Sequence, residues 1–175
     1  MVDFATLAIV LLIMIAFCIP FIYSYQKKKQ HEKKLAGQFI TKARELQLDI
    51  SVYDIWRRKY AIGIDKSRGQ LLYVKFEPDK KVNLFKLSNI KKVRVQNEQR
   101  EVGSGKEKDL VIDKIWLALA FNDPKVPEAI LEFYDADESF GLIGEPLLAK
   151  KWQALVGELL ENIGKPQPKR SVHHE

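Results

Sequence analysis

YAIGIDKSRGQLLYVKF, residues 60–76, is the stretch on which the fold turns. Tyr60, Ile62 and Ile64 alternate with Ala61, Gly63 and Asp65, the two-residue repeat of a strand with one buried face. Residues 65–69, DKSRG, are turn chemistry, and the apolar run 70–76 returns from them. The pair therefore reads as an antiparallel hairpin. Working toward the C-terminus, residues 77–80 (EPDK) form a second turn, 82–87 (VNLFKL) a third strand, Ser88-Asn89 a tight link, and 90–96 (IKKVRVQ) a fourth strand. Four strands on short turns make a meander. Residues 97–109 (NEQREVGSGKEKD) are polar and glycine-bearing and read as a loop. The run 110–121 is long enough for one bent strand or two, 122–127 breaks it with two prolines, and 129–135 (AILEFYD) is the next strand.

Beyond a loop at 135–146, Leu148, Trp152, Leu155, Leu159 and Ile163 step by 4, 3, 4 and 4, an amphipathic helix over 147–163. Pro146 suits its first turn, and Gly164 with Pro166 its stop. Working toward the N-terminus, Ser51 opens a candidate short helix with Asp54 in a capping-box-like position. Before it, residues 26–48 carry a narrow apolar stripe of Leu35, Phe39, Ala43 and Leu46 on a basic segment. A helical stalk packing its far end on the domain is preferred over a helix lying along lipid headgroups.

Residues 4–23, FATLAIVLLIMIAFCIPFIY, contain no charge. As a helix they would span roughly 30 Å, the hydrocarbon thickness of a bilayer. The segment before them lacks the positive charge of a secretory leader, and Phe17 is too bulky for a lipid-attachment site at Cys18. An uncleaved transmembrane helix is expected. Asp3 lies on one side of it and Lys27, Lys28, Lys29, Lys33 and Lys34 on the other, which predicts a single-pass protein of the cell membrane with its N-terminus outside and its C-terminal domain cytoplasmic. The expected division is an extracytoplasmic 1–3, a transmembrane helix 4–25, a basic stalk 26–50, a folded domain 51–164 and a disordered tail 165–175. Of the net charge of +6, residues 27–34 hold +4 and Asp3 holds −1; the remaining +3 is too mild to signal nucleic-acid binding.

Six or seven antiparallel strands followed by one amphipathic helix is an α+β pattern, a curved sheet closed by the C-terminal helix. The hairpin YAIGID…GQLLYVKF, the segment VNLFKLSNIKKVRV and the closing helix with Trp152 together resemble pleckstrin-homology-like (PH-like) domains, particularly the bacterial membrane-tethered kind, over residues 60–163. The resemblance implies an interaction or scaffold module. Lys59, Lys66 and Arg68 formally match a pattern by which some members grip phosphoinositides, although Lys59 precedes the first strand of the hairpin and Lys66 and Arg68 lie in its turn.

Catalytic chemistry is hard to place. His31 falls in the stalk, His173 and His174 fall in the tail, and Cys18 is the one thiol, within the apolar run. Gly103-Ser104-Gly105-Lys106 is no phosphate loop, because Arg100 and Glu107 stand where a glycine and a hydroxyl are required. Residues 135–146 begin like a calcium loop, yet Phe140 and Pro146 occupy the positions of its glycine and glutamate. No catalytic residue, cofactor, metal or small-molecule substrate is expected. Candidate anionic-lipid contacts are Lys27, Lys28, Lys29, Lys33, Lys34, Lys66, Arg68, Lys92 and Arg94. Trp116, flanked by Ala118 and Ala120, is either an exposed docking surface or part of a second buried layer under the C-terminal helix, and the buried layer is preferred. The expected role is a non-catalytic module held at the membrane, contacting lipid through its anchor and an unidentified protein partner through the domain. The alternatives are a membrane-tethered enzyme, or accessory subunit of one, and a direct binder of anionic lipid.

Overall fold

The computed structural model describes residues 3–77, 80–103 and 109–164; within its first helix it describes side chains at 12, 14, 17–19 and from residue 30 onward. The tail 165–175, with His173 and His174, lies outside the described residues, as do the side chains of Lys27, Lys28 and Lys29 and the hairpin tip 104–108. The described elements are α1 (Phe4–Glu45), β1 (Val52–Trp56), β2 (Tyr60–Asp65), β3 (Gln70–Lys75), β4 (Lys81–Lys86), β5 (Ile90–Val102), β6 (Asp109–Phe121), β7 (Ala129–Asp135) and α2 (Glu145–Gly164). A single 3-10 turn, Leu87–Asn89, links β4 to β5.

The strands form two antiparallel sheets, in the orders β1-β2-β3-β4 and β5-β6-β7. This corrects the expectation of one curved sheet closed by the C-terminal helix. Between Val52 and Asp135 the described elements are strands apart from the turn Leu87–Asn89, and the two sheets share one core, with α2 laid against β5 and touching β6 and β7. Trp152, Ala149 and Val156 of α2 enter that core beside Ile62, Ile64, Leu71, Val93, Ile115 and Leu117. Gln153 of α2 accepts the Val95 amide of β5 at 3.0 Å, and the Trp152 indole donates to Asp54 of β1 at 2.8 Å.

The candidate short helix opened by Ser51 is instead the strand Val52–Trp56. Val52, Tyr53 and Ile55 are β-branched or aromatic, and β1 pairs with β2 in full register from Val52↔Ile64 to Trp56↔Tyr60. The loop expected at 97–109 is likewise mostly strand: β5 runs to Val102 and β6 starts at Asp109. Their polar residues are held by cross-strand pairing, including Glu98↔Lys114, and Arg100 meets Asp113 at 3.0 Å. Residues 110–121 supply one strand, continuous but with a register shift where Asp113 is left over. The seventh strand is therefore β1.

The central strands of sheet β1–β4, β2 and β3, are covered on both faces. Tyr60, Ile62 and Ile64 of β2 point to the shared core, while Ala61, Leu72 and Val74 meet Phe39, Ala43 and Leu48 on the other side. Gly63 is required here. A Cβ at that position would lie 2.8 Å from Phe39 Cζ and 2.9 Å from Ile50 Cγ2. Of the stripe, Leu35, Phe39 and Ala43 are buried and Leu46 is partly buried, and the end of α1 packs on β2 and β3.

Among the described residues, no helix is long and apolar enough to cross a membrane. The transmembrane span, the single-pass topology and the membrane localisation are corrected on that ground. From residue 30 onward α1 carries His31, Glu32, Lys33, Lys34, Lys42, Arg44 and Glu45, and its apolar stripe is spent on β2 and β3.

Candidate functional site

The seam where β7 meets the first sheet gathers the densest set of polar side chains. Trp56 of β1 stacks on Phe133 at 4.6 Å between ring centroids, and its indole N–H donates to the Phe133 carbonyl at 2.9 Å. Tyr73 donates its hydroxyl to the Glu132 carbonyl at 2.8 Å. Two successive carbonyls of edge strand β7 are thus satisfied by side chains of the other sheet. A register shift in the β6–β7 pairing lets the neighbours Phe133 and Tyr134 both turn inward.

Outside this aromatic layer lie the charges. Lys75 reaches both Glu132 oxygens, at 3.2 and 3.3 Å, and Glu138 at 3.3 Å. Lys59 holds the other Glu138 oxygen at 3.3 Å. Tyr60 donates its hydroxyl to Glu132. Burial would pull the Lys75 ammonium down, but hydrogen bonds and charge from Glu132 and then Glu138 hold its pKa above the usual lysine value. Burial would raise the Glu138 carboxyl, yet Lys75 and Lys59 keep it below its usual value. Burial, reinforced by Glu132, drives the Tyr60 phenol well above its ordinary range. These ion pairs and hydrogen bonds fasten the two sheets together.

A second lock sits beside it. The β1–β2 turn places Arg57 and Arg58 at φ of 49° and 55°, left-handed backbone that costs a non-glycine residue about 1–2 kcal/mol. This conformation aims Arg57 at Glu145, the first residue of α2, at 2.6 Å, and at the Gly141 carbonyl. The guanidinium lies 5.0 Å from the centre of the Tyr134 ring. Burial would raise the Glu145 carboxyl, but Arg57 and the amides of Ile143 and Glu145 hold it below its usual value. Arg57 and Glu145 went unremarked in the sequence, because a basic turn and an isolated glutamate 88 residues apart carry no local sign of pairing.

The basic residues picked from sequence do not converge. Lys33 and Lys34 are exposed on α1 near β1, whereas Lys66 and Arg68 occupy the turn at the far end of β2. Lys92 and Arg94 do come together with Trp116. Cross-strand register sets Lys92 against Ala120, Arg94 against Ala118 and Ile130, and Gln96 against Trp116 and Glu132, all on the outer face of β5–β6–β7. The helix α2 packs on the opposite face, with Val93, Ile115 and Leu117. The preferred reading of Trp116, a layer buried beneath α2, is therefore corrected. Its ring is half-buried on the outer face with its N–H donating to Gln96 at 3.0 Å, and Ile130 beside it is 64% exposed. Arg94 pairs with Glu128, while its Nε is buried with no hydrogen-bond partner among the described residues. Among the described residues no group of three histidine, cysteine, aspartate or glutamate side chains could hold a metal ion.

Compared with known proteins, this chain matches no family model, no curated protein and no solved structure.

Proposed function

We propose that this chain is a non-catalytic, PH-like interaction module whose protein partner docks on the outer face of β5–β6–β7. The observation that carries the reading is Ile130, largely exposed beside Trp116 and Ala120 on a face turned away from α2. A large apolar residue left this exposed on an edge strand, beside further apolar residues, is expected to be covered in use. Lys92 gives the same face an exposed cation, while Arg94 is already paired with Glu128. A partner pairing an apolar residue with a nearby carboxylate fits both features. The PH-like resemblance draws support from the order of four strands, three strands and a helix. The seam supports a non-catalytic role, since its lysines, glutamates and tyrosines are spent on one another.

The test is a photo-crosslinking amino acid placed at position 130 in cells, with position 66 as control. The expected result is an adduct of one discrete mass at 130 only, lost when Lys92→Glu is added. No adduct at 130, or the same adducts at 66, would remove the reading.

A further inference from the structure

The segment between β7 and α2 presents a second apolar surface, on a different part of the molecule. Phe140 is fully exposed, and Ile143 and Leu147 are 83% and 75% exposed. Exposure of three large apolar side chains within eight residues goes beyond the scattered surface leucines of ordinary proteins. The segment is also well fastened. Glu138 is held by Lys59 and Lys75, the Gly141 carbonyl by Arg57, and the Ile143 amide donates to Glu145 at 2.7 Å. Two ionic locks and a strained turn thus support a backbone that points its apolar side chains away from the core.

The charges around this tip choose its occupant. Arg58 of the neighbouring turn and Lys150, one helical turn beyond Leu147, are exposed. On α1, Lys33 is exposed where Glu32, Lys33 and Ala36 border Tyr53, Asp54 and Ile55 of β1. The acids nearby are mostly neutralised: Asp54 by Lys151 at 2.6 Å, Glu145 by Arg57, and Glu138 by its two lysines. Glu32 and Asp137 remain, and Asp137 lies in the field of Lys114. The rim is net positive. A second copy of this chain would bring like charges together, and a tip that protrudes offers no concave seat for a partner's side chain.

We infer that Phe140, Ile143 and Leu147 insert into the interfacial layer of an anionic lipid surface, with Arg58, Lys150 and Lys33 facing its headgroups. Apolar side chains that enter the acyl boundary beneath a basic rim are the general physics of peripheral attachment. This contact needs no spanning helix and uses none of the outer face of β5–β6–β7.

The test places an environment-sensitive fluorophore at Phe140→Cys, or at Lys66→Cys as control, in the full chain carrying Cys18→Ser. Vesicles of phosphatidylcholine with and without phosphatidylglycerol are added. The label at 140 is expected to shift to the blue with phosphatidylglycerol and to be quenched by brominated acyl chains, and the label at 66 is expected to do neither. With the label at 140, Ile143→Ser combined with Leu147→Ser should weaken that signal about tenfold or more, and added salt should weaken it further. Both residues are exposed, so the thermal midpoint should hold and a folding defect would be visible separately. The inference is overturned if position 140 stays in water on vesicles that carry the chain, if the chain does not reach the vesicles, or if 66 responds equally. A shift produced by a membrane-free extract and not by vesicles would assign the tip to a protein partner and overturn it as well.

Discussion

The two sheets are built from similar residues but are used differently. Sheet β1–β4 has α1 on one face and the shared core on the other, so every residue of β2 is buried, Gly63 and Asp65 included. Sheet β5–β7 is covered on one face only, and β6 alternates between Ile115, Leu117 and Leu119 inside and the half-buried Trp116 and Ala120 outside. A strand enclosed on both sides has no room to serve anything but stability. A strand enclosed on one side is free to carry recognition residues on the other.

The sharpest way to break that comparison is to truncate one ring on each sheet. Phe39→Ala removes a fully buried ring from between α1 and β2, and should cost about 3–5 kcal/mol in urea unfolding. Gly63→Ala attacks the same contact from the sheet side. Its Cβ would clash with both Phe39 and Ile50, the fully buried Phe39 ring has little room to move, and a loss of about 1–3 kcal/mol is expected. If Phe39→Ala were cheaper than Trp116→Ala, α1 would be an appendage and the first sheet would not be the enclosed one.

The hairpin 60–76, the later strands and the amphipathic end of α1 were legible because burial on one face leaves a period in the sequence. Val52–Trp56 was not, since Ser51 and Asp54 imitate a helix cap while the pairing that makes them strand comes from β2. Residues 97–102 were hidden for a related reason. Their exposed ladder is held by the opposite strand, and polar composition alone cannot distinguish it from a loop. At the candidate site, Lys92, Arg94 and Trp116 could be found on sequence, but not their meeting with Ile130, which depends on the β6–β7 register. Phe140 and Ile143 were passed over within a segment read as loop, where an apolar residue has no period to betray it. The apolar run 4–23 shows the reverse case: composition pointed strongly to a spanning helix, and among the described residues none qualifies.

The ionic locks give the comparison a pH dependence. Glu138, Glu145 and Asp65 all have carboxyls held below their usual values; for Asp65, burial is outweighed by the Ser67 hydroxyl and the amides of Arg68 and Asp49. A carboxyl depressed in the folded state contributes stability that is complete above its unfolded value, about 4, and is lost as pH falls through the folded one. Stability should therefore be level near neutrality and fall in acid. Tyr60, Tyr73 and Lys75 are raised, so their contribution is complete below about pH 10 and fades as pH rises further. Glu145→Gln leaves Arg57 without its carboxylate in a nearly closed site and should cost about 2–3 kcal/mol at pH 7. It should also flatten the acid limb measured by thermal unfolding against pH. An unchanged acid limb would show that Glu145 is not among the groups that titrate on unfolding.

The smallest expected effect is on the outer face of the second sheet, and its smallness is the point. Trp116→Ala loses a half-buried ring and one hydrogen bond to Gln96, and should cost about 1 kcal/mol. Ile130→Ser removes apolar surface that is already mostly in water, so its stability should lie within about 0.5 kcal/mol of the parent. Selection for folding alone would tolerate serine there at almost no cost. On the proposed reading, Ile130 serves a contact made only when a partner docks. Ile130→Ser should accordingly leave the unfolding curve in place while abolishing adduct formation from a crosslinker at position 116. A destabilisation comparable to that of Phe39→Ala would mean that the second face is covered after all, and that the two sheets are enclosed alike.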